Sequence, residues 1–191
     1  GADSVVVVLP AGSAYSLPAN VEDASATGNP VSIHLTGNAL PNRLTGNAMP
    51  NSLTGGGGAD TLAGGDGNDT YIVEEPGDVV DETSQGSGGT DYLVVMGPGG
   101  QPYAMAANVE AAQISSAGDV ELQGNLLANH VLGGAGNNTL SGAGGDDWID
   151  GAGSNDLLSG GPGADTLDGG SGTDTLQGGP DSDTYLVDVP G

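Results

Sequence analysis

Acidic side chains recur every nine residues in the second half of the chain, at Asp147, Asp156, Asp165, Asp174 and Asp183. Carboxylates in a regular array either exchange protons during catalysis or supply oxygen ligands to hard cations. The chain has 25 acidic residues against one basic residue, and its formal net charge is −24. Because its own salt bridges cannot balance this charge, the chain must either stay disordered or recruit cations.

Composition excludes several classes of partner. Phosphate binding needs Lys and Arg, and Arg43 is the single basic residue, so nucleic acid and anionic membrane surfaces are not expected partners. There is no Cys, so the chain has neither disulfides nor thiolate metal sites. The longest apolar run, Val5 to Leu9, is too short for a transmembrane segment.

Catalytic residues are not apparent, and we expect no enzyme in this segment. His34 and His130 are the only histidines, neither stands in a triad-like context, and Lys is absent. Both histidines are predicted to point outward from strands into solvent, which argues against zinc. The paired carboxylates follow from the nine-residue period, and GxGxxG matches follow from glycine richness.

The period extends over two tracts, one from Gly37 and one from Gly124. Position one of each nine-residue unit is Gly, except in the degenerate unit Val73 to Asp81, and position six is always Asp or Asn. Position eight is always a large apolar residue: Leu44, Leu53, Leu62, Tyr71 and Val80, then Val131, Leu140, Ile149, Leu158, Leu167, Leu176 and Tyr185. Such a period indicates a repeat architecture in which each unit is one small structural element.

Each unit predicts a loop followed by a short strand. Six residues GGxGxD make a tight turn in which Gly supplies positive φ and lets carbonyl groups converge. The remaining three residues form a strand, with the position-eight side chain inward and its neighbours outward. Two units make one coil, so loops 18 residues apart stack and the apolar residues form a ladder.

A longer duplication divides the chain into two modules. When the chain is shifted by 88 residues, residues 1–22 align without a gap on residues 89–110. We therefore predict module 1 at 1–88 (spacer 1–27, β-roll 28–81) and module 2 at 89–191 (spacer 89–114, β-roll 115–191, truncated at its C-terminal end). Each spacer, with an apolar run, a Pro/Gly turn and a second extended piece, predicts a β-hairpin. We also expect the chain to be part of a longer array.

Units such as Gly55 to Ala63 and Gly160 to Asp168 resemble the GGxGxDxUx repeat of the RTX, or haemolysin-type calcium-binding, family. The resemblance covers about two thirds of the chain as repeats, and the spacers are similar to those of tandem RTX proteins. It implies an all-β fold, a calcium-bound parallel β-roll, with several Ca²⁺ ions between stacked loops. It also implies one-step type I secretion.

Calcium accepts carboxylate and carbonyl oxygens together, which stacked loops of this kind offer. The expected carboxylate pairs are Asp60 with Asp78, Asp147 with Asp165, Asp156 with Asp174, Asp165 with Asp183 and, more weakly, Asn51 with Asp69. The expected carbonyl ligands come from the glycine turns: Gly56, Gly58, Gly65, Gly67, Gly161, Gly163, Gly170 and Gly172. Where position six is Asn, at Asn42, Asn51, Asn129 and Asn138, we expect weak or empty sites whose side chains close the turn.

Two functions fit these features. The first is a structural repeat region of a secreted or cell-surface bacterial protein, such as an adhesin, surface layer or extracellular matrix component, that folds on calcium after export. The second is the C-terminal secretion and folding domain of a secreted lipase, protease or polysaccharide-modifying enzyme. The duplication favours the first, because an array is a way to gain length. Expected partners besides calcium are neighbouring modules, and an exposed Trp148 allows an extracellular polysaccharide or self-assembly.

Overall fold

A computed structural model describes residues 1–83 and 88–187. These residues form twenty short β-strands and no helix. Within the same ranges, no helix long and apolar enough to cross a membrane is found. The chain divides into two compact units, Gly1–Gly97 and Pro98–Gly191. Each unit is a parallel β-solenoid, so the predicted all-β, parallel β-roll architecture is confirmed.

The first unit contains two parallel sheets, to which successive strands contribute in alternation. One sheet has the order β1-β3-β5-β7-β9 and the other the order β2-β4-β6-β8-β10. The strands are β1 Ser4–Val6, β2 Ser13–Ser16, β3 Asp23–Ser25, β4 Ile33–Thr36, β5 Arg43–Thr45, β6 Ser52–Thr54, β7 Thr61–Ala63, β8 Thr70–Val73, β9 Val79–Val80 and β10 Tyr92–Val95.

The second unit repeats this arrangement, with one sheet in the order β11-β13-β15-β17-β19 and the other in the order β12-β14-β16-β18-β20. Its strands are β11 Pro102–Ala104, β12 Ala111–Ile114, β13 Glu121–Gln123, β14 His130–Leu132, β15 Thr139–Ser141, β16 Trp148–Asp150, β17 Leu157–Ser159, β18 Thr166–Asp168, β19 Thr175–Gln177 and β20 Thr184–Leu186. In the nonapeptide tracts of both units, odd and even strands are joined by the glycine-rich loops.

The apolar ladder forms as the period predicts. Leu44 pairs in register with Leu62, and Leu140 pairs with Leu158, so identical positions stack between coils. The position-eight side chains of the inner coils are almost completely buried: Leu44, Leu53, Leu62, Tyr71, Val131, Leu140, Ile149, Leu158 and Leu167. Most of their neighbours in the three-residue strands are more exposed, since successive side chains of a strand point to opposite faces, and Ala63 is a buried exception. Burial of this ladder is the main apolar contribution to the fold.

The spacers are coils of the same solenoid, and the predicted hairpins are wrong. Strand β1 pairs in parallel with β3, whereas β2 pairs in parallel with β4 in the other sheet. In the second copy, β10 pairs in parallel with β8, and β11 pairs in parallel with β13. An extended run followed by a Pro/Gly turn is the same local sequence for a hairpin and for a solenoid corner. The stacking partner decides between them.

The two compact units meet in sequence at Gly97 and Pro98. Strand β10, which lies in the predicted spacer of module 2, is thus part of the first unit, where it continues the stacking of β8. The 88-residue modules are units of sequence duplication, and their independent folding stays a prediction. The predicted C-terminal end of module 2 includes residues 188–191, which lie outside the described residues.

Candidate metal centre

The position-six aspartates and asparagines form stacks along the loops, in which successive members are 18 residues apart. In each step, Oδ1 of the aspartate accepts the backbone N–H of the position-six residue 18 positions earlier. The steps are Asn42 to Asp60 (2.7 Å), Asn51 to Asp69 (2.7 Å), Asp60 to Asp78 (3.0 Å), Asn129 to Asp147 (2.7 Å), Asn138 to Asp156 (2.7 Å), Asp147 to Asp165 (2.8 Å), Asp156 to Asp174 (2.8 Å) and Asp165 to Asp183 (3.1 Å). All five predicted pairs are therefore adjacent.

The second carboxylate oxygen, Oδ2, is the chemically significant one. In five position-six aspartates it is buried and accepts no hydrogen bond within the described part of the chain: Asp60, Asp69, Asp147, Asp156 and Asp165. A buried ionised carboxylate without a partner is strongly unfavourable, so these oxygens need a cation or a proton. They fit Ca²⁺, which binds carboxylate oxygens directly.

In the aspartate loops, glycine at position one leaves room for this carboxylate. A Cβ atom on Gly55 would collide with Oδ2 of Asp60, and one on Gly142 would collide with Oδ2 of Asp147. The absence of a side chain at position one thus leaves space in which the carboxylate lies. In the aspartate loops, the glycine of the sequence period is explained by the carboxylate that it accommodates. In asparagine loops, as at Gly37 and Gly133, the closest atom is a backbone carbonyl oxygen of the next coil.

Backbone carbonyl groups are the other expected oxygen ligands for calcium. All eight glycines predicted to supply carbonyl ligands have positive φ, from 70° at Gly170 to 151° at Gly172. Some loops keep this left-handed conformation at position two or four where Gly is replaced, as at Ala143, Ala152 and Ser154. The carbonyl oxygen of Gly145 lies close enough to Gly163 to exclude a side chain there. Stacked loops therefore bring carbonyl oxygens of one coil close to the backbone of the next.

Loops with Asn at position two form a second class that the sequence analysis did not separate. The side-chain oxygen of Asn38 accepts the N–H of Leu40 at 2.8 Å, and Asn125 does the same with Leu127 at 2.8 Å. Asn38 Nδ2 also donates to the carbonyls of Pro18 and Val21, both at 2.7 Å. The signal was present in the sequence, since GN replaces GG in these units.

Asparagines at position six close their turns as predicted. Asn42 Oδ1 accepts the Asn38 N–H at 2.6 Å, and Asn42 Nδ2 donates to the carbonyls of Val21 and Glu22. Asn129 makes the matching hydrogen bonds to Asn125, Val109 and Glu110. Asn138 Nδ2 donates to the Gly136 carbonyl. Asn51 Nδ2 donates to the carbonyls of Asn47 and Met49. Their side-chain amides are neutral, so these positions bring no charge to a cation.

Asp78 differs from the other predicted ligands. Its Oδ1 accepts the Asp60 N–H, while Oδ2 accepts the N–H groups of Glu74 at 3.0 Å and Glu75 at 3.1 Å. Oδ2 therefore holds the turn that precedes β9, and Oδ1 is bonded to the loop that precedes β7. Asp174 and Asp183 lie on the outermost described loops and are only half-buried. A role of all these residues as calcium ligands stays a prediction.

Burial changes the protonation of the stacked carboxylates. Desolvation raises the pKa of Asp60, Asp69 and Asp147 to about 6, although the N–H of the preceding loop acts in the opposite direction. Desolvation also raises the pKa of Asp156 and Asp165, again opposed by the N–H of the preceding loop. Neighbouring aspartates add to the rise in every case. The sole basic side chain, Arg43, is engaged elsewhere, with Nη2 at 3.9 Å from Asp81 Oδ2.

One acidic cluster was missed by the sequence analysis. Asp69, Glu82 and Asp91 are all buried, and one carboxylate oxygen of each lies within 4.8 Å of the others. Asp91 Oδ1 accepts the Asp69 N–H at 2.8 Å, across 22 residues instead of 18. The extra residues break the nine-residue phase, so the period did not predict this contact. A partial signal existed in the Gly-x-Asp that opens each spacer.

The strand surface next to the loops carries the predicted outward residues. His34 and His130 are exposed, and Trp148 is 50% exposed. His130 and Trp148 pair in register, with their rings 6.0 Å apart in an edge-to-face arrangement. Thr166 and Thr184 follow Trp148 on the same face. The histidines thus lie outside the loops that present the carboxylates.

Comparison with protein families agrees with the geometry. A family model described as RTX calcium-binding nonapeptide repeat (4 copies) matches residues 36–71, 123–158 and 151–185, together more than half of the chain. These ranges contain most of the stacked aspartates. No curated protein matches the chain significantly.

Proposed function

Because the chain belongs to the RTX calcium-binding nonapeptide repeat family, we propose that it is a structural region of a secreted or cell-surface bacterial protein, which folds on binding calcium outside the cell. The observation that carries the proposal is the row of buried Oδ2 atoms on stacked loops. These atoms recur at the repeat spacing, in a chain with a formal charge of −24.

Coupling of folding to calcium follows from electrostatics. Five buried carboxylates lack a hydrogen-bond partner for one oxygen within the described residues, and the chain offers one Arg to balance them. Without a cation, ionised loops repel each other along each stack, and this repulsion opposes the ordering of the coils. A divalent ion between two loops replaces the repulsion by attraction to both. The binding free energy then becomes folding free energy.

Circular dichroism of the chain with chelator, and then with increasing calcium, tests this proposal. We expect a largely disordered spectrum without metal and a gain of β-structure at calcium of ~10⁻⁴ to 10⁻³ M, the usual range of extracellular modules. Magnesium is the matched control, because its smaller, octahedral shell fits a mixed carboxylate and carbonyl site poorly. An identical β-spectrum in chelator and in calcium would refute the proposal.

The coupling of folding to calcium binding would operate during export from the cell. Calcium below the folding threshold keeps the chain unfolded inside the cell, and higher calcium outside folds it after exit through one-step type I secretion. The absence of cysteine is consistent with stiffening by metal instead of disulfides. Pulse labelling followed by proteolysis of the intracellular pool tests this step. A protease-resistant, calcium-loaded form inside the producing cell would contradict it.

The segment itself is proposed to be non-catalytic, with a role as a spacer in an adhesin, surface layer or matrix protein. Support comes from the 88-residue duplication, since repetition of a module extends a structure without adding chemistry. The partners proposed beyond calcium are neighbouring modules and an extracellular polysaccharide that stacks on Trp148. A glycan-binding assay of the calcium-loaded chain and its Trp148→Ala variant tests the latter, and equal binding by both would exclude a role of Trp148.

A further inference from the structure

Asp69, Glu82 and Asp91 form a buried group of three carboxylates in the first unit. Their exposed fractions are 1%, 0% and 1%. One oxygen from each lies within 4.8 Å of the other two, a spacing that lets all three contact one ion. Only Asp69 belongs to a nonapeptide loop with the full Gly/Asp pattern. Glu82 follows the degenerate last unit, and Asp91 begins the second spacer.

The backbone fixes the position of each carboxylate. Asp69 immediately precedes β8, and Asp91 immediately precedes β10, which pairs in parallel with β8. This pairing puts Asp91 Oδ1 at 2.8 Å from the Asp69 N–H. Glu82 follows β9, and the preceding residue, Asp81, donates its N–H to the Leu62 carbonyl at 2.8 Å. The group is therefore held by strand pairing on both sides.

A second observation points to a ligand. Oδ1 of Asp69 accepts the N–H of Asn51 at 2.7 Å and its Nδ2 at 3.0 Å. Oδ2 of Asp69 is buried and, within residues 1–83 and 88–187, accepts no hydrogen bond. The only basic side chain of the protein, Arg43, contacts Asp81 and is about half exposed. The cluster of three carboxylates thus has negative charge, and Oδ2 of Asp69 is available to a cation.

We propose that Asp69, Glu82 and Asp91 bind a calcium ion where a nonapeptide stack ends, at a site to which two carboxylates from outside the repeats contribute. An all-oxygen, all-carboxylate set without His or Cys favours a hard cation over zinc or copper. Three carboxylates bring more negative charge than two stacked aspartates, and calcium affinity rises with ligand charge. This ion therefore binds more tightly than those between the nonapeptide loops. It also ties the segment after β9 to the β8–β10 pair.

The experiment compares calcium binding by the full chain and by two variants that each lose one negative charge. Glu82→Gln removes a ligand of the proposed site and leaves every nonapeptide loop intact. Glu121→Gln is the matched control, because Glu121 is exposed on β13 in the second unit. Equilibrium dialysis gives the number of bound ions, and competition with a chelator of known affinity ranks them. Circular dichroism in saturating calcium monitors the fold.

We expect Glu82→Gln to bind one calcium ion fewer than the wild type and to lack the highest-affinity class of calcium site. It should also fold at a higher calcium concentration. Glu121→Gln keeps the full count. An unchanged count and affinity in Glu82→Gln would overturn the site, while the proposed function would stand if calcium still folds the chain. Failure of the wild type to bind any calcium would overturn both, because the inference assumes the calcium-dependent fold.

A measurement on the wild type keeps the test decisive if Glu82→Gln does not fold. Crystals grown in calcium and measured at long wavelength give an anomalous map of the ions. A peak in contact with Asp69, Glu82 and Asp91 supports the site. Peaks between nonapeptide loops, with none at this group, would overturn it.

Discussion

Oδ1 of Asp165 accepts the backbone N–H of Asp147 at 2.8 Å, and Asp165 donates its own N–H to Oδ1 of Asp183 at 3.1 Å. One aspartate is thus shared by two successive steps of the stack, with its Oδ2 left for a cation. We therefore expect that loops of this solenoid do not bind ions independently, because each inner aspartate lies between the loop before it and the loop after it in the stack.

Replacement of Asp165 therefore disturbs two ions. We expect Asp165→Ala to bind two calcium ions fewer than the wild type and to shift the folding midpoint to higher calcium. Asp165→Asn keeps the hydrogen bond to Asp147 and removes the charge, so it separates the two contributions. Asn42→Ala is the control for a position without charge, and we expect it to keep the ion count. Equal loss of ions in Asp165→Ala and Asn42→Ala would contradict this assignment.

Protons compete with calcium for the same oxygens. The pKa of Asp60, Asp69 and Asp147 is raised from 3.8 to about 6 in the folded chain, chiefly by burial. Because the folded pKa exceeds the unfolded one, the contribution of these groups to stability is full below the unfolded pKa and is lost as pH rises through the folded one. The metal-free chain should therefore gain structure on acidification across this window.

Calcium needs the ionised carboxylates, so its affinity should fall as pH drops through about 6. Calcium titrations at several pH values above and below this point, followed by circular dichroism, measure the shift. A chelator series over the same pH values measures the metal-free fold. A calcium midpoint that stays constant until the pH approaches the ordinary aspartate pKa of 3.8 would contradict the buried carboxylates.

Glycine at position one of the aspartate loops accommodates the carboxylate beside it. We expect Gly142→Ala to destabilise the calcium-bound form by about 1–3 kcal/mol, the usual cost of overpacking, because its Cβ would collide with Asp147 Oδ2. Gly144→Ala in the same loop is the control, since its Cβ would meet Leu126 Cδ2 at an ordinary 3.5 Å. Thermal unfolding in saturating calcium gives both values. Similar losses in the two variants would show that the loop responds to any side chain.

Adjacent leucines on β17 test the apolar ladder. Leu158 is 0% exposed at position eight, whereas Leu157 is 46% exposed at position seven. Leu158→Ala should cost about 2–5 kcal/mol, as for other buried leucines, because it leaves a cavity between stacked coils. Leu157→Ala should cost much less, as most of the side chain is already in water. Denaturant unfolding in calcium measures the difference, and equal costs would mean that the ladder does not dominate stability.

The strand pairing of the spacers was predicted wrongly from the sequence. Val5 to Val8 with its Pro/Gly turn has the local pattern of a hairpin strand, yet β1 pairs in parallel with β3. Local hydrophobicity indicates that a segment is extended. It does not indicate whether the pairing strand is antiparallel and adjacent in sequence, or parallel and one coil further along the chain. The neighbouring coil supplies the pairing groups, and its position depends on how the chain between the two strands folds.

Within the repeats, the sequence alone determined the strands, the inward face and the stack of aspartates. A strict nine-residue period leaves one register in which Leu62 meets Leu44, since any slip would expose the apolar ladder. Only the tertiary structure decided that Glu82 and Asp91 join Asp69. The chain between β9 and β10 does not keep the period, so no spacing rule applies. Strand pairing of β8 with β10 closes that distance and brings three carboxylates to one point.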